Sequence, residues 1–96
     1  VVATVHKGEK VPAWEQEAVA SGVAHMLSLA LDGAGWGVLW RTGHPTRSKA
    51  VAKAHGLRKK ERLLGWLYVG GKPASSRSER VKTIDAASFV SQMPGA

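Results

Sequence analysis

The chain of 96 residues has no cysteine, which excludes disulfide bridges and thiolate metal sites. It also lacks an apolar run of the roughly 20 residues that a membrane-spanning helix needs, because Ser21, His25 and Ser28 interrupt the longest one, residues 18–31. A chain of this size buries only about 60 to 65% of its unfolded surface, so its core is small. These absences indicate at most one soluble domain, with no membrane partner, and are compatible with a cytoplasmic location.

Acidic residues are scarce. Seven Asp and Glu stand against fourteen Lys and Arg, which gives a net charge of +7. Such a balance favours anionic partners, and phosphate is the group that nucleic acids, nucleotides and membrane surfaces have in common. Four histidines are present, but their spacing matches no metal site, so we predict no bound metal.

A long helix is predicted from Ala13 to about Leu31. Pro12 suits its first position, and Glu15 and Glu17 place negative charge near its N-terminus, which the helix dipole favours. Apolar residues recur at helical spacing, namely Val19, Val23, Met26, Leu27 and Ala30. Small residues cover most of the remaining surface, so we expect this helix to be packed on more sides than a monomer of this size provides.

The rest of the chain predicts a few short elements. Residues 1–7, 37–40 and 63–69 have the composition of strands, and the last is continuous and apolar, as a central strand should be. A second helix is expected from Pro45 or Thr46 to about His55. We treat residues 1–96 as a single partial domain in which residues 71–96 form the tail.

Residues 35–43 form the stretch most typical of a binding site, with three glycines, two tryptophans, Arg41 and Thr42 in nine positions. The planar fork of an arginine, a nearby hydroxyl and a glycine that lets the backbone come close can together hold a phosphate at the end of a strand. The alternative is an arginine that binds a carboxylate or the C-terminus of a helix.

The order and spacing of several blocks resemble the C-terminal half of the nitroreductase family across roughly residues 1–73. The blocks are the first strand, Lys10-Val11-Pro12, the small-residue helix, Gly35 to Gly43, and Leu63 to Gly70 with Pro73. The resemblance implies an α+β fold, in which a long central helix packs on a small mixed sheet within an intertwined homodimer. It also implies an enzyme that uses flavin mononucleotide (FMN) and NADH or NADPH.

The resemblance also implies roles for particular residues. The contacts to the FMN phosphate fall on Trp40, Arg41 and Thr42. A segment near the flavin and the incoming nicotinamide nucleotide falls on Asp32, Gly33, Ala34 and Gly35. The implied reaction is ping-pong: NAD(P)H reduces the flavin, and a small-molecule oxidant such as a nitroaromatic or a quinone takes the electrons. No side chain of this chain is needed as a catalytic nucleophile or acid.

One departure from the family pattern is large. The family's N-terminal half carries a basic segment that grips the flavin phosphate, and no such segment precedes Val1. Arg77-Ser78-Glu79-Arg80 resembles that segment superficially, but it follows the last predicted strand, so we do not transfer the role to it. We therefore expect a fragment that is inactive alone.

Two alternatives stay open. The first is a small basic nucleic-acid-binding module, favoured by the basic residues around the second helix, which are Lys49, Lys53, Arg58, Lys59, Lys60 and Arg62. Against it, the aromatic residues lie in apolar segments and not between the basic ones, so we do not expect nucleic acid as the partner. The second alternative is a dimerisation remnant that binds no flavin.

Overall fold

The computed structural model describes residues 1–8, 10–74 and 82–95, and Arg77-Ser78-Glu79-Arg80 lies outside those ranges. The helices are α1 (Ala13–Gly33) and α2 (Lys49–Ala54), and the strands are β1 (Val2–Thr4), β2 (Trp36–Arg41), β3 (Glu61–Leu63) and β4 (Trp66–Gly71). Short 3-10 helices cover His44–Arg47 and Ala86–Phe89. The α+β class predicted from the sequence is confirmed.

Helix α1 begins directly after Pro12, which holds an extended conformation. The Gln16 side chain fastens this end to the preceding loop, since its oxygen accepts from the N–H of His6 at 2.9 Å and its amide group donates to the carbonyls of His6 and Val11. The helix runs two residues past the predicted end at Leu31. Its C-terminus is closed by the N–H of Ala34, which donates to carbonyls of the last turn.

The strands form two antiparallel pairs where a single mixed sheet was expected. β1 pairs with β3, and β2 pairs with β4 along its whole length, from Trp36 opposite Gly71 to Arg41 opposite Trp66. The predicted strand 63–69 is broken, because the chain bends at Leu64 and Gly65 and passes from the first pair to the second. Leu63 therefore pairs with β1, whereas residues 66–69 pair with β2.

The buried apolar core of the described residues is small. It consists of Ala3, Val5, Ala24, Leu63 and Leu64. On α1 the buried residue is an alanine, whereas the larger apolar residues face outward and leave, for example, Val23 65% exposed. Within the described ranges, no helix combines the length and apolar character needed to cross a bilayer.

Gly65 occupies a place that no other residue can take without a shift of the backbone. A Cβ atom there would lie 2.6 Å from the carbonyl oxygen of Arg41 and 3.0 Å from side-chain atoms of Trp40 and Thr42. The bend between β3 and β4 is therefore in close contact with the end of β2. A side chain at this position would push the two strands apart.

We predict that Gly65→Ala lowers the free energy of unfolding of the full-length protein by about 1 to 3 kcal/mol, the usual cost of overpacking. Urea unfolding followed by circular dichroism measures the change. Gly71→Ala is the matched control, because a Cβ atom on Gly71, at the far end of β4, meets nothing within 4 Å. Equal stability of the two variants would contradict the close contact at Gly65.

Candidate functional site

Strand β2 presents two different faces, since side chains alternate along a strand. Trp40 lies on one face opposite Leu67 of β4, and Arg41 lies on the other face opposite Trp66. The three residues predicted to contact a phosphate are therefore divided. Arg41 lies on the face opposite to that of Trp40 and Thr42.

The face with Trp40 and Thr42 borders a cavity of about 400 Å³ between α1 and the sheet. Its lining is mixed. Trp14 and Leu67 contribute apolar surface, and several polar or ionic side chains from α1 and the turn after β2 contribute the remainder, namely Glu17, Ser21, His25, Ser28 and Arg47. The structure thus brings Trp40 and Thr42 together on one cavity wall.

Arg41 is exposed at the end of β2. Among the described residues, no carboxylate forms an ion pair with its guanidinium group. The described residues therefore do not support the alternative in which Arg41 binds a carboxylate. The donor fork of Arg41 faces away from the cavity side of the sheet and is available to an anion.

The turn after β2 is held by a compact set of hydrogen bonds. Gly43 has a φ of 112°, in the region that favours glycine, and its carbonyl accepts from both the N–H and the hydroxyl of Thr46, at 3.1 and 2.7 Å. Arg47 then reaches back to Glu17 of α1, with Nη1 to Oε1 at 2.9 Å and Nη2 to Oε2 at 3.3 Å. The hydrogen bond to Glu17 raises the pKa of the Arg47 guanidinium above its ordinary value.

The second set of predicted residues lies where α1 ends. Asp32 and Gly33 belong to the last turn of the helix, Ala34 caps it, and Gly35 follows with a φ of 93°. The N–H of Gly35 donates to the carbonyl of Asp32 at 2.9 Å. The Asp32 carboxylate binds Lys72 Nζ at 3.1 Å, an exposed ion pair that joins α1 to the residue after β4.

The two predicted sets are at opposite ends of β2. Gly35 precedes the strand and Arg41 ends it, and the five steps between Trp36 and Arg41 span about 17 Å at the rise of an extended strand. A small anion could not contact both ends. An extended ligand such as a mononucleotide with a fused ring system could.

Sequence reasoning missed two side-chain pairs near this site. Glu17 and Arg47 are 30 positions apart, and Glu17 was interpreted only as a charge near the helix N-terminus. Trp66, which lies opposite Arg41, donates its indole N–H to Nε2 of His55 at 3.2 Å. Neither pair has a signature in the sequence, because each depends on how separate elements are placed.

The basic residues around α2 are partly used within the fold. Arg58 binds Glu61 through its side chain and its backbone N–H, and these hydrogen bonds lower the pKa of the Glu61 carboxyl. Arg62 donates to the carbonyls of Lys59 and Glu61. Arg58 and Arg62, two of the six basic residues, therefore stabilise the turn that leads into β3. In the part of the chain that the structure describes, no group of three or more potential metal ligands occurs.

Comparison with known proteins identifies the fold. Residues 1–71 match the model of the nitroreductase family. The chain belongs to the nitroreductase family. The recognition made from the blocks between Val1 and Pro73 is confirmed, and so is the fold class that it implied.

Two curated relatives from the nitroreductase family show how much of their length this chain covers. The chain is 36% identical over 90 residues to "Putative NAD(P)H nitroreductase YdjA" of Escherichia coli (strain K12), a match that covers 94% of this chain and 49% of the relative. It is 32% identical over 85 residues to "Putative NAD(P)H nitroreductase" of Haemophilus influenzae, which covers 88% of this chain and 45% of the relative. The nitroreductase chain thus spans about half the length of these relatives and corresponds to their C-terminal part.

Proposed function

We propose that this chain is part of an FMN-dependent NAD(P)H oxidoreductase that reduces small oxidants such as nitroaromatics or quinones. The observation that carries the proposal is the position of Arg41, whose guanidinium has no described carboxylate partner at the end of the strand that begins beside Gly35. Membership of the nitroreductase family and relatives named for NAD(P)H support it.

The side chains present fit this cofactor. The Arg41 fork suits a phosphate, and the Thr42 hydroxyl follows it directly. Gly43, with its positive φ, lets the backbone come close at the same end of β2. Gly35 does so at the other end, where the segment from Asp32 to Gly35 would border the flavin ring and the nicotinamide nucleotide. Trp40 would bound the site from the cavity side of the sheet.

The residues of this chain have binding and positioning roles in the proposal. When bound, the flavin supplies the hydride chemistry between NADH or NADPH and the oxidant. Arg41 would neutralise phosphate charge, and Trp40 contributes apolar surface to the wall of the cavity between α1 and the sheet. No step needs a proton from a side chain of this chain, so we assign no catalytic acid or base.

The proposal includes a homodimer through α1. The outward stripe of the helix is apolar, with Val19, Val23 and Met26 all more than 60% exposed, whereas its sheet-facing side is represented by Ala24. Apolar patches of this kind on a helix indicate a covering partner. Dimers are typical of the family. A cytoplasmic location and inactivity of the isolated chain stay predictions.

We predict that Arg41→Ala raises the dissociation constant for FMN about 10- to 100-fold in the full-length protein, because a hydrogen bond to a charged group is worth about 1.5 to 3 kcal/mol. Titration of apoprotein with FMN, followed by flavin fluorescence, measures it. Lys60→Ala is the control, since it removes an exposed positive charge away from β2. An Arg41→Ala protein that retains FMN as tightly as the wild type would remove the assignment.

We predict that Val23→Glu converts the full-length dimer to monomer. Glutamate forms helices at least as well as valine, so the helix itself is not weakened. A twofold interface would bury two unpaired carboxylates, each at a cost of several kcal/mol. Analytical ultracentrifugation measures the change. Val11→Glu, at an exposed valine outside α1, should leave the dimer intact. A Val23→Glu dimer of unchanged affinity would place the interface elsewhere.

A further inference from the structure

The turn after β2 is well ordered internally, but its position relative to α1 has to be set by something else. The carbonyl of Gly43 accepts two hydrogen bonds from Thr46, a residue only 8% exposed, and the N–H of Ser48 donates to the carbonyl of Pro45 at 3.1 Å. These bonds fix the shape of the turn. They do not reach the helix that forms the facing wall of the cavity.

The forked contact between Arg47 and Glu17 does reach that helix. Both nitrogens of the guanidinium meet both oxygens of the carboxylate, at 2.9 and 3.3 Å. A two-point contact between planar groups fixes orientation as well as distance. Among the described side chains it is the polar link between α1 and the residues from Thr42 to Arg47.

The pair also lies in the right place to affect binding. Glu17 and Arg47 line the same 400 Å³ cavity as Trp40 and Thr42, two of the predicted cofactor contacts. The Glu17 side chain is 23% exposed and that of Arg47 57% exposed, so the carboxylate on the helix is better shielded from solvent than the guanidinium on the turn. Arg47 directly follows Thr46, whose N–H and hydroxyl both bind the carbonyl of Gly43, the residue after Thr42.

We infer that Glu17 and Arg47 are positioning residues, which hold the turn from Thr42 to Arg47 against α1 and so set the backbone that presents Arg41 and Thr42 to the cofactor phosphate. The inference rests on the proposed function for its second half. Its first half, that the pair holds the turn against α1, does not depend on the cofactor. Arg47 acts here through Glu17 and does not itself contact the phosphate.

The test uses three variants of the full-length protein, Glu17→Gln, Arg47→Gln and the double variant. Two quantities are measured, the dissociation constant for FMN by fluorescence titration and the exchange rates of the Thr46 and Ser48 amides in apoprotein by NMR. Each single variant should raise the dissociation constant about 3- to 10-fold and speed amide exchange by at least about fivefold. The double variant should lose no more than the larger single loss, because the two residues act as one unit.

A matched ion pair provides the control. Arg58 and Glu61 also form an arginine–carboxylate contact, and neither lines the cavity. Arg58→Gln and Glu61→Gln should leave FMN affinity and the Thr46 and Ser48 amides unchanged. If these controls reduce FMN affinity as much as Glu17→Gln does, the effect is one of general stability and the inference is overturned.

The remaining outcomes also decide. Loss of affinity in Arg47→Gln but not in Glu17→Gln would mean that Arg47 binds the phosphate directly, which overturns the positioning role. Faster amide exchange with unchanged affinity would overturn it too. A wild-type protein that takes up no FMN would refute the proposed function instead, and the amide rates would still show whether the pair holds the turn.

Discussion

The antiparallel pairing of β2 with β4 is the constraint on which the rest of the structure depends. It joins segments about 30 positions apart and fixes Arg41 opposite Trp66 at one end and Trp36 opposite Gly71 at the other. The end of α1 leads into one end of this ribbon and the turn after β2 leaves from the other. Both parts of the candidate site are therefore positioned by the same set of backbone hydrogen bonds.

The close contact at Gly65 fixes the end of the β2–β4 pair at which β2 ends and β4 begins. Because the bend between β3 and β4 presses against the carbonyl of Arg41, the last residues of β2 are held by backbone as well as by pairing. Rigid elements place functional groups more accurately than loops do. The backbone of Arg41 is therefore fixed by both contacts, whereas its exposed side chain is not.

Helix α1 belongs both to the fold and to the proposed dimer interface. Its side toward the sheet carries small residues such as Ala24, which let helix and strands approach closely, and its outer side carries Val23 and Met26. Exposed apolar side chains along one face of a helix are typical of a surface that another protein covers, as in the proposed dimer. The cavity bordered by Glu17 and Arg47 lies on the other side of the helix, toward the sheet.

The sequence by itself determined the family, the α+β class, the long helix and the short strand that precedes Arg41, because these follow from local periodicity and from blocks that are contiguous in the chain. It also indicated that α1 has more apolar surface than the chain can cover. Only the tertiary structure decided that the run 63–69 divides between two strand pairs and that Trp40 and Arg41 lie on opposite faces. It alone brought Glu17 to Arg47, since ion pairs between distant positions leave no pattern in the sequence and form only when the elements that carry them are packed together.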